Sequence, residues 1–133
     1  MRDRIPRLPH GAPFLLLDQA VEVGEKSGVF VKLVTATDPC VGRDGFLPAA
    51  FVLEALAQAG GALIAAQEGR MPAPGYLAAV DDFRVHGDVR VGDALRVEVD
   101  ILRHVSAAVL LRGRALVDGA LRAEARFTLA LPR

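Results

Sequence analysis

The chain has 133 residues with 16 Lys+Arg against 16 Asp+Glu, so its summed charge is zero and it lacks the basic stripe that nucleic-acid binding requires. Its length fits one domain spanning 1–133 and allows most of the unfolded surface to be buried without staples, while the single Cys40 cannot form an internal disulfide. Apolar residues make up 52% with only seven aromatics and no Trp, so Ala, Val and Leu must fill the core, and this much apolar content in so short a chain points to a subunit interface as well.

No N-terminal run combines basic residues, an apolar stretch and a small-residue cleavage site, so a reducing cytoplasm is the expected location. After the opening segment Leu8 to Asp18, strands are expected at Gln19 to Val23 and Val29 to Thr35. Residues 48–67 stand apart: they are Ala/Leu-rich, open with Pro48 at a plausible first helical position and stop before Gly69. Five turns of helix follow. Glu54, Gln58 and the Gly60-Gly61 pair interrupt its apolarity, and the flanking charge asymmetry is weak, so a buried core helix is expected rather than a membrane span. The two glycines each cost about 1 kcal/mol relative to Ala, which close approach by a strand or a partner subunit would offset.

Strands are then expected from Tyr76 to Val85, from Leu95 to Ile101, from Ala108 to Val117 and from Leu121 to Leu129. The second and fourth of these alternate apolar and polar with period two, as a sheet with one dry face requires. Asp118-Gly119 between two apolar runs marks a hairpin. A helix apolar on nearly every side must be enclosed, and one antiparallel sheet curling around it is the economical solution. The fold class is therefore α+β.

Three stretches resemble one family. Leu8-Pro-His-Gly-Ala-Pro-Phe-Leu-Leu-Leu-Asp18, Leu47-Pro-Ala-Ala-Phe-Val-Leu-Glu-Ala-Leu-Ala-Gln58, and Tyr76-Leu-Ala-Ala-Val-Asp-Asp-Phe-Arg-Val85 with Val91-Gly-Asp93 are similar, in order and spacing, to motifs of the 3-hydroxyacyl-[acyl-carrier-protein] dehydratases. The resemblance implies a hot-dog fold, a dimer with the acyl chain in a tunnel between subunits, an acyl-carrier-protein or coenzyme A thioester as substrate, and no cofactor or metal. It also exposes a departure. The family's loop before the helix carries the catalytic His, whereas Asp38-Pro-Cys-Val-Gly-Arg-Asp-Gly-Phe-Leu47 contains none. A divergent subgroup associated with aryl-polyene-type pathways resembles this chain more closely in that loop.

Glu54 is the first candidate catalytic residue, because a carboxylate in an apolar helix is costly to bury unless it is paired or sits at a site. Gln58, one turn later on the same face, is placed either to hydrogen-bond Glu54 and substrate or to serve packing alone. His10 is the replacement acid or base, or else it orients the N-terminal segment. Substrate-binding candidates are Tyr76, which lines the tunnel mouth in the resembled family or simply packs, together with Phe46 and the helix N-terminus at Ala49 and Ala50, whose backbone N–H groups would polarise a thioester carbonyl. His86 and His104 read as exposed, and Cys40 as a small buried hydrophobe near the position the missing His would hold. Arg43, Arg70, Arg84 and Arg90 form a patch for an acidic carrier protein or are solvated surface.

Three functions fit this reading. They are a dehydratase using Glu54 and His10, an acyl-thioester-binding subunit that completes a site with a His-bearing paralogue, and a thioester hydrolase. Partners are a second copy or that paralogue; neither nucleic acid nor membrane is expected.

Overall fold

The computed structural model describes residues 16–68 and 76–131. Six strands, β1 (Gln19–Val23), β2 (Ser27–Leu33), β3 (Tyr76–Val85), β4 (Ala94–Val105), β5 (Ala108–Val117) and β6 (Ala120–Ala130), form one antiparallel sheet in the order β1-β2-β4-β5-β6-β3. The helix α1 (Ala49–Glu68) connects β2, near one edge, to β3 at the other, and so must cross the sheet. It touches β2, β4, β5, β6 and β3 in doing so. This is the hot-dog arrangement that the motifs imply.

The strands follow from alternation. Phe30, Lys32 and Val34 from the β2 run, Leu95, Val97 and Val99 from β4, Val109, Leu111 and Ala115 from β5, and Ala123, Ala125 and Phe127 from β6 are all buried under the helix. The residues between them face water. There the rows Arg84, Glu124, Arg114, Glu98 and Asp82, Arg126, Arg112, Asp100 run across adjacent strands, so that most carboxylates lie beside a guanidinium. Asp118 and Gly119 both take positive φ (49° and 81°), the two-residue turn expected between β5 and β6.

Several boundaries differ from expectation. β2 begins and ends two residues earlier than Val29 to Thr35, because Gly24 N–H donates to Ser27 O (2.8 Å) and closes the β1–β2 turn early. β4 runs on to Val105, which places His104 inside a strand rather than in a connection. A bulge between Ile101 and Arg103 breaks the alternation there, and Ser106 supplies a positive φ of 55° where no glycine announces a turn. Pro48 is the residue before the helix rather than its first: its carbonyl accepts from Phe51 N–H (2.9 Å) and Val52 N–H (3.3 Å).

The close approach expected at the glycine pair is found at Gly60. A β-carbon there would lie 3.1–3.3 Å from side-chain atoms of Leu111, Phe127 and Leu129. Gly113 reciprocates from the sheet, where a β-carbon would come within 3.2 Å of Leu56 Cβ. Helix and sheet therefore meet through two absent side chains.

The opposite face of α1 is not closed. Ala50 is exposed, and Leu53, Glu54, Ala57 and Gly61 are half-buried. α1 is long and apolar enough to cross a membrane, yet Ala55, Leu56, Ala59, Ala62 and Leu63 are sealed against the sheet, as in a core helix. The edge strand β3 is likewise open, with Leu77, Val80 and Val85 exposed.

Candidate functional site

The open face of α1 carries a groove of about 290 Å³ lined by Leu16, Cys40, Ala50, Phe51 and Glu54. Three pieces of chain build it: the lead-in to β1, the loop between β2 and α1, and the first turns of the helix. Glu54 reaches the groove because it lies one turn beyond Ala50 on the face the sheet leaves uncovered.

Gln58 stands directly behind Glu54. It is 1% exposed, and its amide is used at both ends. Oε1 accepts the Leu16 backbone N–H at 2.8 Å, and Nε2 donates to Glu54 Oε1 at 3.3 Å. The amide is a structural tie behind Glu54 and is not among the described residues that line the groove.

The wall opposite the helix is held by a pair the sequence reading overlooked. Lys32, 4% exposed, directs Nζ to Asp38 Oδ2 at 2.5 Å, and Asp38 Oδ1 accepts the Cys40 N–H at 2.9 Å. Burial alone would raise the Asp38 carboxyl; the hydrogen bond from Lys32, that from Cys40 N–H and the ammonium charge outweigh it and hold Asp38 below its ordinary value. The signal was present in the period of β2, since Lys32 shares the dry face with Phe30 and Val34. A lysine at such a position demands a buried carboxylate.

Cys40 faces the groove. Burial pushes its thiol up from the ordinary value, and the Asp38 carboxylate adds to the effect, so the side chain is a protonated, weakly polar wall rather than a base or nucleophile. Of the two N–H groups at the helix start, Ala50 lies at the groove, while Ala49 lines a separate small cavity with Leu47, Val52 and Arg122. Phe46 is not part of the groove lining. It forms an isolated bridge to Arg90, whose guanidinium stacks 5.2 Å from the ring centroid. That stacking gives Phe46 a packing partner outside the groove.

His10 and the Tyr76 side chain lie outside what the structure describes. The described part of the opening motif ends on Leu16 and Leu17, both 2% exposed, and on Asp18, whose carboxylate accepts the Leu33 N–H at 2.6 Å. His86 pairs with Glu124 (2.6 Å), partly exposed, and His104 is exposed on β4; neither lines the groove. Among the described residues no three His, Cys, Asp or Glu side chains gather where they could hold a metal. Phe51 and Leu16, which do line the groove, carried no chemical signal in the sequence.

Residues 5–133, nearly the whole chain, match the family described as ApeP-like, ApeP dehydratase. The chain belongs to the ApeP-like dehydratase family. Its curated relatives include the 3-hydroxyacyl-[acyl-carrier-protein] dehydratases FabZ of Myxococcus xanthus, 38% identical over 128 residues covering 90% of this chain and 83% of that one, and of Bacillus pumilus, 34% identical over 129 residues covering 93% and 90%. Among solved structures, the dehydratase heterocomplex ApeI:P from Xenorhabdus doucetiae superposes with a TM-score of 0.88 at 24% identity, covering 95% of this chain and 88% of that one. A hypothetical thioesterase with coenzyme A from Streptococcus pneumoniae reaches 0.71 at 10% identity, covering 85% and 84%. These likenesses establish the hot-dog fold, and the sequence matches establish the dehydratase family. In this ApeP-like dehydratase the loop before the helix brings Cys40 to the same groove as the helix carboxylate of Glu54.

Proposed function

We propose that this chain is a 3-hydroxyacyl-thioester dehydratase subunit that supplies the carboxylate half of an active site, the imidazole coming from a His-bearing hot-dog subunit paired with it. The observation that carries this is the groove: it contains Glu54, is open on the face of α1 that the sheet leaves bare, and has the protonated thiol of Cys40 near the place where the resemblance implies a His. Dehydration removes an α-proton and expels the β-hydroxyl as water, leaving a 2-enoyl thioester. The partner's imidazole takes the α-proton, Glu54 protonates the departing hydroxyl, and the Ala50 N–H supports the negative charge that develops on the thioester carbonyl.

The substrate is carried on an acyl-carrier protein or coenzyme A, the site is in the cytoplasm, and no cofactor takes part. The open edge of β3 and the uncovered stripe of α1 supply the apolar surface for pairing. The likeness to the dehydratase heterocomplex ApeI:P of Xenorhabdus doucetiae supports a mixed pair for this chain over a homodimer. In the homodimer reading, His10 would have to act instead.

The test is formation of the 2-enoyl product from 3-hydroxyacyl thioesters by the purified chain alone and after mixing with a His-bearing subunit. Turnover only in the mixture is the expected result. Turnover by the chain alone that disappears in His10→Ala would favour the homodimer, and release of free thiol would indicate a hydrolase.

A further inference from the structure

Gln58 is used at both ends in a way that fixes its orientation. A backbone N–H can only donate, so the amide atom 2.8 Å from Leu16 N must be the oxygen. The other end is then the NH₂ group, and it donates to Glu54 Oε1. A protonated carboxyl accepts best at its carbonyl oxygen, so this bond favours Oε1 as the unprotonated oxygen. It thereby favours Oε2 as the oxygen from which Glu54 delivers a proton.

We infer that Gln58 is a positioning residue that selects which oxygen of Glu54 handles the proton and, through Leu16, ties that selection to the docking of the lead-in to β1. The inference rests on the dehydratase reading and deepens it. Leu16 is itself a wall of the groove and 2% exposed, so one amide joins the wall to the acid. Because Gln58 is sealed at 1% exposure, its bond to Leu16 is shielded from water, and the arrangement is present before substrate arrives.

Among the described residues, the titratable groups around this unit are Glu54 on the same helix and Cys40 across the groove, with the Lys32–Asp38 ion pair behind Cys40. Cys40 is held protonated, and the ion pair is neutral in sum. A new charge at position 58 would therefore act first on Glu54.

Two substitutions separate the ends of the amide. Gln58→Met fills similar volume but makes neither bond. Gln58→Glu keeps an acceptor for Leu16 in both charge states, and it donates to Glu54 only when protonated; burial raises a carboxyl of this kind toward neutrality. With the paired, active dehydratase, kcat for Gln58→Glu is expected to recover at least about tenfold relative to the wild type between pH 8 and pH 6. Gln58→Met should lose at least about tenfold in kcat at every pH, with KM changed less than about threefold.

Exchange of the Leu16 amide hydrogen, followed by NMR, is the second readout. It should be slow in the wild type and in Gln58→Glu, and at least about tenfold faster in Gln58→Met. A Gln58→Glu pH profile parallel to that of the wild type, undiminished kcat in Gln58→Met, or a Leu16 amide that remains protected in Gln58→Met would each overturn the inference. Absence of wild-type turnover, alone and in the mixture, would count against the dehydratase reading instead, and the Leu16 exchange result would then judge the tie by itself.

Discussion

The two faces of α1 are made of similar residues and do opposite jobs. Toward the sheet, Ala55, Leu56, Ala59, Gly60 and Leu63 are sealed, with Gly60 and Gly113 removing side chains so that helix and strand can touch. Away from the sheet, Ala50, Leu53, Glu54, Ala57 and Gly61 remain accessible, and the single acid among them is held from behind by Gln58. The first face is a finished core. The second is the surface that the proposed pairing with another subunit would make dry, and a helix apolar all round suits both requirements together.

The difference is open to a direct break. Glu54→Gln should lower turnover of the paired enzyme by about a thousandfold while moving Tm by less than about 2 °C, because no packing atom is lost. Leu56→Ala, half a turn away on the sealed face, should do the reverse. It is expected to cost about 2–5 kcal/mol in denaturant or thermal unfolding, with activity per folded molecule largely kept.

A smaller effect is expected at the wall of the groove. Lys32→Met strands the buried Asp38 carboxylate and should destabilise by about 3 kcal/mol, most of which the double variant Lys32→Met/Asp38→Leu regains. The sign of the acid dependence follows from the lowered value of Asp38 in the folded protein. Its contribution is complete above the ordinary carboxylate range and is lost as pH falls through the folded value, below about 4. Urea unfolding across that range should therefore show a loss of stability in the wild type, as the solution becomes acidic, that the double variant lacks.

The least effect concerns Cys40. Burial and the Asp38 carboxylate keep its thiol protonated, so alkylation near pH 8 should run at least about tenfold slower than for a free cysteine. Asp38→Asn should speed it. A thiol that reacts at the free rate would mean the groove wall is not closed as described.

Much of this was legible in the residues. Period-two alternation located the strands, Asp118-Gly119 located the hairpin, and the nearly continuous apolarity of residues 48–67 demanded enclosure. Glu54 stood out because a charge among alanines and leucines needs a reason. What stayed hidden was of two kinds. Where a residue acts through its back, as Gln58 does toward Leu16, sequence spacing shows only its nearness to Glu54 and says nothing of a partner 42 residues earlier. Where a wall is built from ordinary residues, as by Phe51 and Leu16, no chemical type marks it. Lys32 belongs to neither kind: its place on the dry face of β2 was readable, and the buried pair with Asp38 followed from it. Phe46 was drawn to the site by its position before the helix; its stacking with Arg90 could not be read from the sequence.

The most direct measurement is a complementation assay. A His-bearing hot-dog subunit whose own helix carboxylate is changed to the amide should be inactive by itself toward a 3-hydroxyacyl thioester. Mixed with this chain it should regain 2-enoyl formation, and mixed with the Glu54→Gln chain it should not. Equal recovery with both chains, or none with either despite a stable pair, would contradict the assignment of Glu54 as the carboxylate of a shared site.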